Sequence, residues 1–287
     1  MNRIIVFVML IFIMGSFKND KPSYQIYNSK GKNVKYKKLL KAASKADVIF
    51  FGELHNNPID HWLQLELCKD LSEINKGQIS LGAEMFERDN AADLEAYVNG
   101  DISESMFEEK VRFWNNYKTD YRPLVEFAKT NSLDFVATNI PRKYASMVHK
   151  NGFESLEKLS EIEKTFVAPL PIEYDPNLKC YADMLKMMGG MSHASANLPK
   201  AQAIKDATMA FSIIEKYKDG VPFIHFNGTY HSNNNQGIIW YLKKYMPELR
   251  VMTISTVEQE DIFKFEKENT ALADFVLVIS ENMTKTY

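Results

Sequence analysis

From Asp47 onward, short apolar runs alternate with stretches whose apolar positions recur at helical spacing. The run Val48, Ile49, Phe50, Phe51 predicts a buried strand near 47–52, and "QISLGAEMF" and "LDFVATN" predict a second and a third. "VPFIHF" and "LRVMTIST" give two more, and "ADFVLVIS" closes the sheet. Between them, "NNPIDHWLQLELCKDLSEI" reads as a helix with Asn57 as its cap, Pro58 at its first position and Asp60 in its first turn. "RDNAADLEAYVNGDISESMFEEKVRFW" predicts short helices broken near Asn99-Gly100. "PLVEFAKTNS", the stretch from Pro141 to Asn151-Gly152, "LPKAQAIKDATMAFSIIEKY" and "NQGIIWYLKKYM" predict further helices. Strands alternating with helices specify an α/β fold: a mainly parallel central sheet flanked by helices, with an inserted helical segment over 153–198.

The polar residues fall at the ends of the apolar runs. The first strand stops at Glu53 and His55, the second at Glu84, and the third at Asn139 with Arg142 just beyond. The fourth stops at Asn227, Gly228, Tyr230 and His231. In a parallel sheet the carboxyl ends of the strands share one edge, and ligand crevices open outside it. A carboxylate leaving a buried strand is costly unless paired, which favours function for Glu53 and Glu84. Asn139 serves equally well as a simple helix cap. His225, inside a strand, reads as a hydrogen-bonded core residue, and His61 and His149 read as helix-surface residues. Glu53 and His55 are two apart and share one side of an extended chain. With Glu84 and His231 they form a set suited to a divalent metal or to general acid–base chemistry. No HExxH pattern accompanies them.

Composition narrows the class. A net charge of -2 over 287 residues, with only the modest "KYKKLLK" as a basic run, argues against a nucleic-acid binder. Arg3 followed by the apolar run Ile4–Met14 and then Gly15-Ser16 fits a signal peptide over 1–16, with an uncleaved anchor as the alternative. This implies export to the bacterial periplasm or cell envelope, membrane association only through that segment, and a single folded unit over 23–287. Export permits a disulfide between Cys68 and Cys180, whereas the leucines around Cys68 favour a buried free thiol. "CYADMLKMMGGMSH" gathers Met184, Met187, Met188 and Met191 beside Tyr181 and His193. Such a segment suits core packing, and it also suits the wall of a flat ligand such as haem, which Tyr, His and Met all ligate.

The ordered set "GELHNNPIDHW", "LGAEMFER", "ATNIPRKY", "AQAIKDATMA" and "HFNGTYHSNNNQGI" resembles the ChaN-like haem-binding family of the Tiki and erythromycin-esterase-like superfamily, over roughly residues 35 to 260. The resemblance implies an exported α/β protein acting in haem or iron uptake, with haem held at a homodimer interface. Glu53, His55, Glu84, Asn139, Arg142, Gln202, Asp206, Asn227 and His231 match the family's recurrent polar positions. No lipobox cysteine follows the apolar run, although family members are often lipoproteins. The candidate haem ligands by chemistry are Tyr144, Tyr181 and His193, with basic residues meeting the propionates. The alternative is a metal-dependent hydrolase, with Glu53, His55, Glu84 and His231 as catalytic residues or metal ligands and Arg142 as an anion clamp.

Overall fold

The computed structural model describes residues 21–187 and 196–287. Its strands are β1 (Tyr24–Asn28), β2 (Asn33–Val34), β3 (Val48–Glu53), β4 (Ser80–Glu87), β5 (Asp134–Asn139), β6 (Phe223–Gly228), β7 (Val251–Gln259) and β8 (Phe275–Ser280). They form one sheet in the order β2-β1-β8-β7-β3-β6-β4-β5, parallel except at one edge, where β1 pairs antiparallel with both β8 and β2. All six expected strands are present. The hairpin of β1 and β2 carries no comparable sequence signal: its five- and two-residue strands mix polar and apolar side chains.

The helices are α1 (Tyr36–Ala43), α2 (Pro58–Ile74), α3 (Ala91–Val98), α4 (Glu104–Lys110), α5 (Arg122–Thr130), α6 (Arg142–Asn151), α7 (Glu161–Lys164), α8 (Lys179–Met187), α9 (Leu198–Lys216) and α10 (Ile238–Tyr245). Asn57 caps α2 as expected, its side chain accepting from the Ile59 amide. Gly152 follows α6 at φ 77°, a left-handed conformation open to glycine. The inserted region between α6 and α9 holds a 3-10 turn, α7 and α8. Among the described residues no helix is long and apolar enough to cross a membrane.

Side chains of β3 alternate between two cores. Ile49 and Phe51 join Leu63, Leu67 and Leu71 of α2 on one face, while Val48 and Phe50 meet Met209 and Ile213 of α9 and Leu242 of α10 on the other. Burying a side chain of this size contributes about 1.5–3 kcal/mol, so both faces of the strand resist exposure. This burial keeps β3, β6, β4 and β5 side by side, and their carboxyl ends therefore open on one edge. Cys68 is a buried free thiol and Cys180 is also unpaired, so the disulfide alternative does not hold.

Candidate functional site

The strand ends surround a cavity of about 740 Å³. Glu53, His55, Glu84, Asn139, Arg142 and His231 all line it, so the sequence-predicted cluster is brought together from four strands. β4 shifts register against β5 between Ala83 and Glu87, an irregularity that re-aims Glu84 as the strand leaves the sheet. Met184 lies outside the cavity, and Met188, Met191 and His193 fall outside the described residues.

Glu53 is fully buried and all its acceptors are used. His55 donates from Nδ1 to Oε1 at 2.8 Å, Tyr121 donates its hydroxyl to the same oxygen at 2.7 Å, and Gln64 donates to Oε2. Burial raises the proton affinity of this carboxyl, but the His55 hydrogen bond and neighbouring imidazoles outweigh it and hold Glu53 below its ordinary range. His55 is shifted upward: burial opposes its charge, while the Glu53 hydrogen bond and the Glu84 charge favour it. A carboxylate accepts only, so Nδ1 carries a proton and Nε2 is the nitrogen left facing Gly228 and the cavity. Trp114 packs edge-on against the ring, with centroids 4.8 Å apart.

His231 is held on both sides. Nδ1 donates to Asp206, and Nε2 lies 3.1 Å from Glu84 Oε1. Gln202 approaches both ring nitrogens at 3.1 Å. Tyr181 donates to the far oxygen of Asp206 at 2.7 Å, and the Gly228 amide donates to Glu84 Oε2 at 2.8 Å. Burial disfavours an imidazolium here, yet the two carboxylates push its pKa up to about 10. The same imidazolium and the Gly228 amide overcome burial at Glu84 and hold it far below the carboxylate range. Burial wins at Asp206, which is shifted upward. This is a buried cation clamped by two acids.

Metal binding by Glu53, His55, Glu84 and His231 is not what this arrangement provides. Apart from His55 Nε2, their oxygens and nitrogens are committed to one another and to Tyr121, Gln64, Asp206 and Gly228. Among the described residues no group of three or more His, Cys, Asp or Glu is set to hold a metal ion.

The remaining candidates divide. Asn139 is not a helix cap: its amide donates to the Glu84 carbonyl at 3.0 Å, and its buried Oδ1 has no partner among the described residues. Arg142 and Lys205 stand on the wall with no ion pair among the described residues. Asn227, expected in the pocket, is wholly buried beneath it, bonded to His225, Gly228 and Ser232. His225 is the core residue expected, bonded to Thr138 and Asn227 and lowered by burial to about 4. Tyr144 and Tyr181 are buried away from the cavity, their hydroxyls donating to Glu163 and Asp206. His61, expected on a helix surface, is instead buried. The first turn of α2 docks under the strand-end loop, where His61 Nε2 bonds the His55 carbonyl at 3.1 Å and faces Asp120. His149 lies half-buried at the rim.

Nothing in the residue pattern marks Asp120 or Tyr121. They enter through a π-helical turn, Tyr117–Tyr121, and local excursions of this kind are frequent at functional sites. Lys205 was missed because nothing separates it from other lysines of an amphipathic helix. Only its position one turn from Gln202 and next to Asp206 marks it.

Residues 39–242 match the family described as haem-binding uptake, Tiki superfamily, ChaN. The structure is similar to ChaN of Campylobacter jejuni, described by its cofacial haem binding, with a TM-score of 0.67 at 15% identity over 90% of this chain and 97% of that one. A Bacillus cereus protein superposes with a TM-score of 0.51 at 13% identity, over 85% of this chain and 90% of its own. At these identities the likeness establishes the fold. In sequence the chain is 24% identical over 207 residues to Protein RETICULATA-RELATED 5, chloroplastic, of Arabidopsis thaliana, covering 67% of this chain but only 27% of that protein. With a profile match over most of its length and a shared α/β fold, this chain belongs to the ChaN family of haem-binding uptake proteins in the Tiki superfamily.

Proposed function

We propose that the strand-end cavity binds haem and that the protein serves haem or iron uptake as an exported protein of the bacterial envelope. The observation that carries this is the pairing, in one cavity of about 740 Å³, of two cations without ion-pair partners among the described residues, Arg142 and Lys205, with an open imidazole nitrogen on His55 and an exposed phenol on Tyr230. The volume lies within the range of about 300–1,000 Å³ common to small-molecule sites. Trp114, Ile140, Ala145 and Ala201 supply an apolar wall. Haem would bring a ferric centre and two propionates. Arg142 and Lys205 would hold the propionates, and Tyr230 or His55 would face the iron. Tyr144 and Tyr181, chosen from sequence, would have to leave buried hydrogen bonds to do so.

The apolar run Ile4–Met14 supports export. Homodimerisation belongs to the same reading, with the exposed rings of Tyr230 and Tyr287 at the mouth as the surface a second copy would cover. The test is a haem titration of the protein lacking residues 1–16. A saturable shifted Soret band is expected, with its position changed by Tyr230→Phe or His55→Ala and its affinity lowered about tenfold or more by Arg142→Ala with Lys205→Ala. No saturable band in the parent protein overturns the reading.

A specific observation favours a second activity. His55, oriented by ionised Glu53 and with Nε2 open, has the arrangement of a general base, and the unpartnered Asn139 Oδ1 awaits a donor from a bound molecule. Hydrolysis of a carboxylic ester that is abolished by Glu53→Gln would establish it. No turnover across a panel of anionic esters would remove it.

A further inference from the structure

The segment following β8 runs back across the sheet edge to the cavity. Lys285 pairs with Glu258 of β7. The Thr286 amide donates to the Asn56 carbonyl at 2.9 Å, and the Asn56 side chain donates to the Tyr287 carbonyl at 3.4 Å. The Thr286 hydroxyl donates to buried Asp120 at 2.8 Å, and the Tyr287 side chain lines the cavity.

These contacts meet the two loops that orient His55. Asn116 donates both to Asp120 at 2.7 Å and to the His55 carbonyl at 2.8 Å. His61 spans the same two groups, 3.1 Å from that carbonyl and 3.4 Å from Asp120. Thr286 thus touches the 54–57 turn through its backbone and the π-helical turn through its hydroxyl. From inside, the 54–57 turn is tied by the Leu54 amide to Asp60 and by the Asn57 amide to the Leu54 carbonyl. On its outer side residues 285–287 supply the backbone bond.

We infer that residues 285–287 are a strap that forms one wall of the cavity mouth and holds the 54–57 turn, so that Thr286 and Tyr287 determine what reaches His55 and how fast. This deepens the reading of the cavity as the ligand site and rests on it. The strap fixes the turn and narrows the entrance.

The test compares the parent chain with a variant lacking residues 285–287, with Thr286→Val and Thr286→Ser, and with Tyr287→Ala. Two measurements need no haem: amide hydrogen exchange at 54–57 and 116–121, and the rate at which diethyl pyrocarbonate modifies His55, read by mass spectrometry. Loss of the strap is expected to speed both about tenfold, since the hydrogen bonds that hold the turn from outside are removed, while the interior of β3 and β6 stays protected. Thr286→Val should reproduce part of the exchange effect and Thr286→Ser should restore it; Tyr287→Ala should speed modification alone. Unchanged exchange in the deletion overturns the holding role, and unchanged modification in the deletion and in Tyr287→Ala overturns the gating role. Haem association and dissociation, measured separately, should both quicken in the deletion. If the parent binds no haem, that result bears on the proposed function and leaves the other two measurements decisive.

Discussion

The two histidines of the cavity floor come from the same kind of place, the end of a parallel strand, yet they are built for different work. His55 has one carboxylate partner, a side chain one-third exposed at 33%, and a ring nitrogen open to the cavity. His231 has a carboxylate at each nitrogen, an amide against its ring, and a side chain only 6% exposed. The difference lies in how many partners satisfy the ring. One acid orients an imidazole and leaves it available; two acids turn it into a structural cation. The cavity therefore has an open side around Glu53, His55 and Asn139 and a fixed side around Glu84, His231 and Asp206.

The contrast breaks first on stability. His231→Ala leaves Glu84 and Asp206 buried without their cation and should cost about 3–5 kcal/mol in urea unfolding. His55→Ala should cost only about 1–2 kcal/mol, because Tyr121 and Gln64 still satisfy Glu53. Equal losses would mean that the two sides are not distinct.

The pH profile sharpens it. With a folded pKa of about 10 against an ordinary 6.5, His231 contributes stability that is whole below pH 6.5 and is lost as pH rises toward 10. Glu84, held low, contributes stability that is whole above its ordinary value of 4.5 and is lost progressively as pH falls below it. Unfolding free energy should thus fall by a few kcal/mol between neutral pH and pH 10, and the fall should shrink markedly in His231→Gln. An unchanged profile in that variant would separate His231 from the titration.

Smaller effects should appear on the open side. A Cβ at Gly228 would lie 2.7 Å from His55 Nε2 and 2.9 Å from Cε1, so Gly228→Ala must push the ring aside. It should cost about 1 kcal/mol of stability while weakening ligand binding at His55 far more than it weakens the fold. Tyr121→Phe removes one donor to Glu53 and should likewise cost about 1 kcal/mol. Both are read by urea unfolding alongside ligand titration.

Much of this architecture can be read from residue order alone. The apolar runs ending in Glu53, Glu84, Asn139 and Gly228 specify parallel strands, and crossover geometry then puts their carboxyl ends on one edge. Asn57-Pro58 and Gly152 mark helix ends because capping and left-handed backbone are local requirements. The burial of His61, the seating of Tyr144 and Tyr181, and the descent of Asn227 beneath the pocket are not local. Each is set by which element packs over it. Sequence thus determined the fold class and the company that Glu53, His55, Glu84 and His231 keep, since periodicity and chain direction are properties of neighbouring residues. Only the tertiary structure decided that His55 is open and His231 clamped. The deciding partners, Asp206, Gly228, Tyr121 and Thr286, reach the site from distant parts of the chain, and a pattern of neighbours holds no record of contacts made across the sheet.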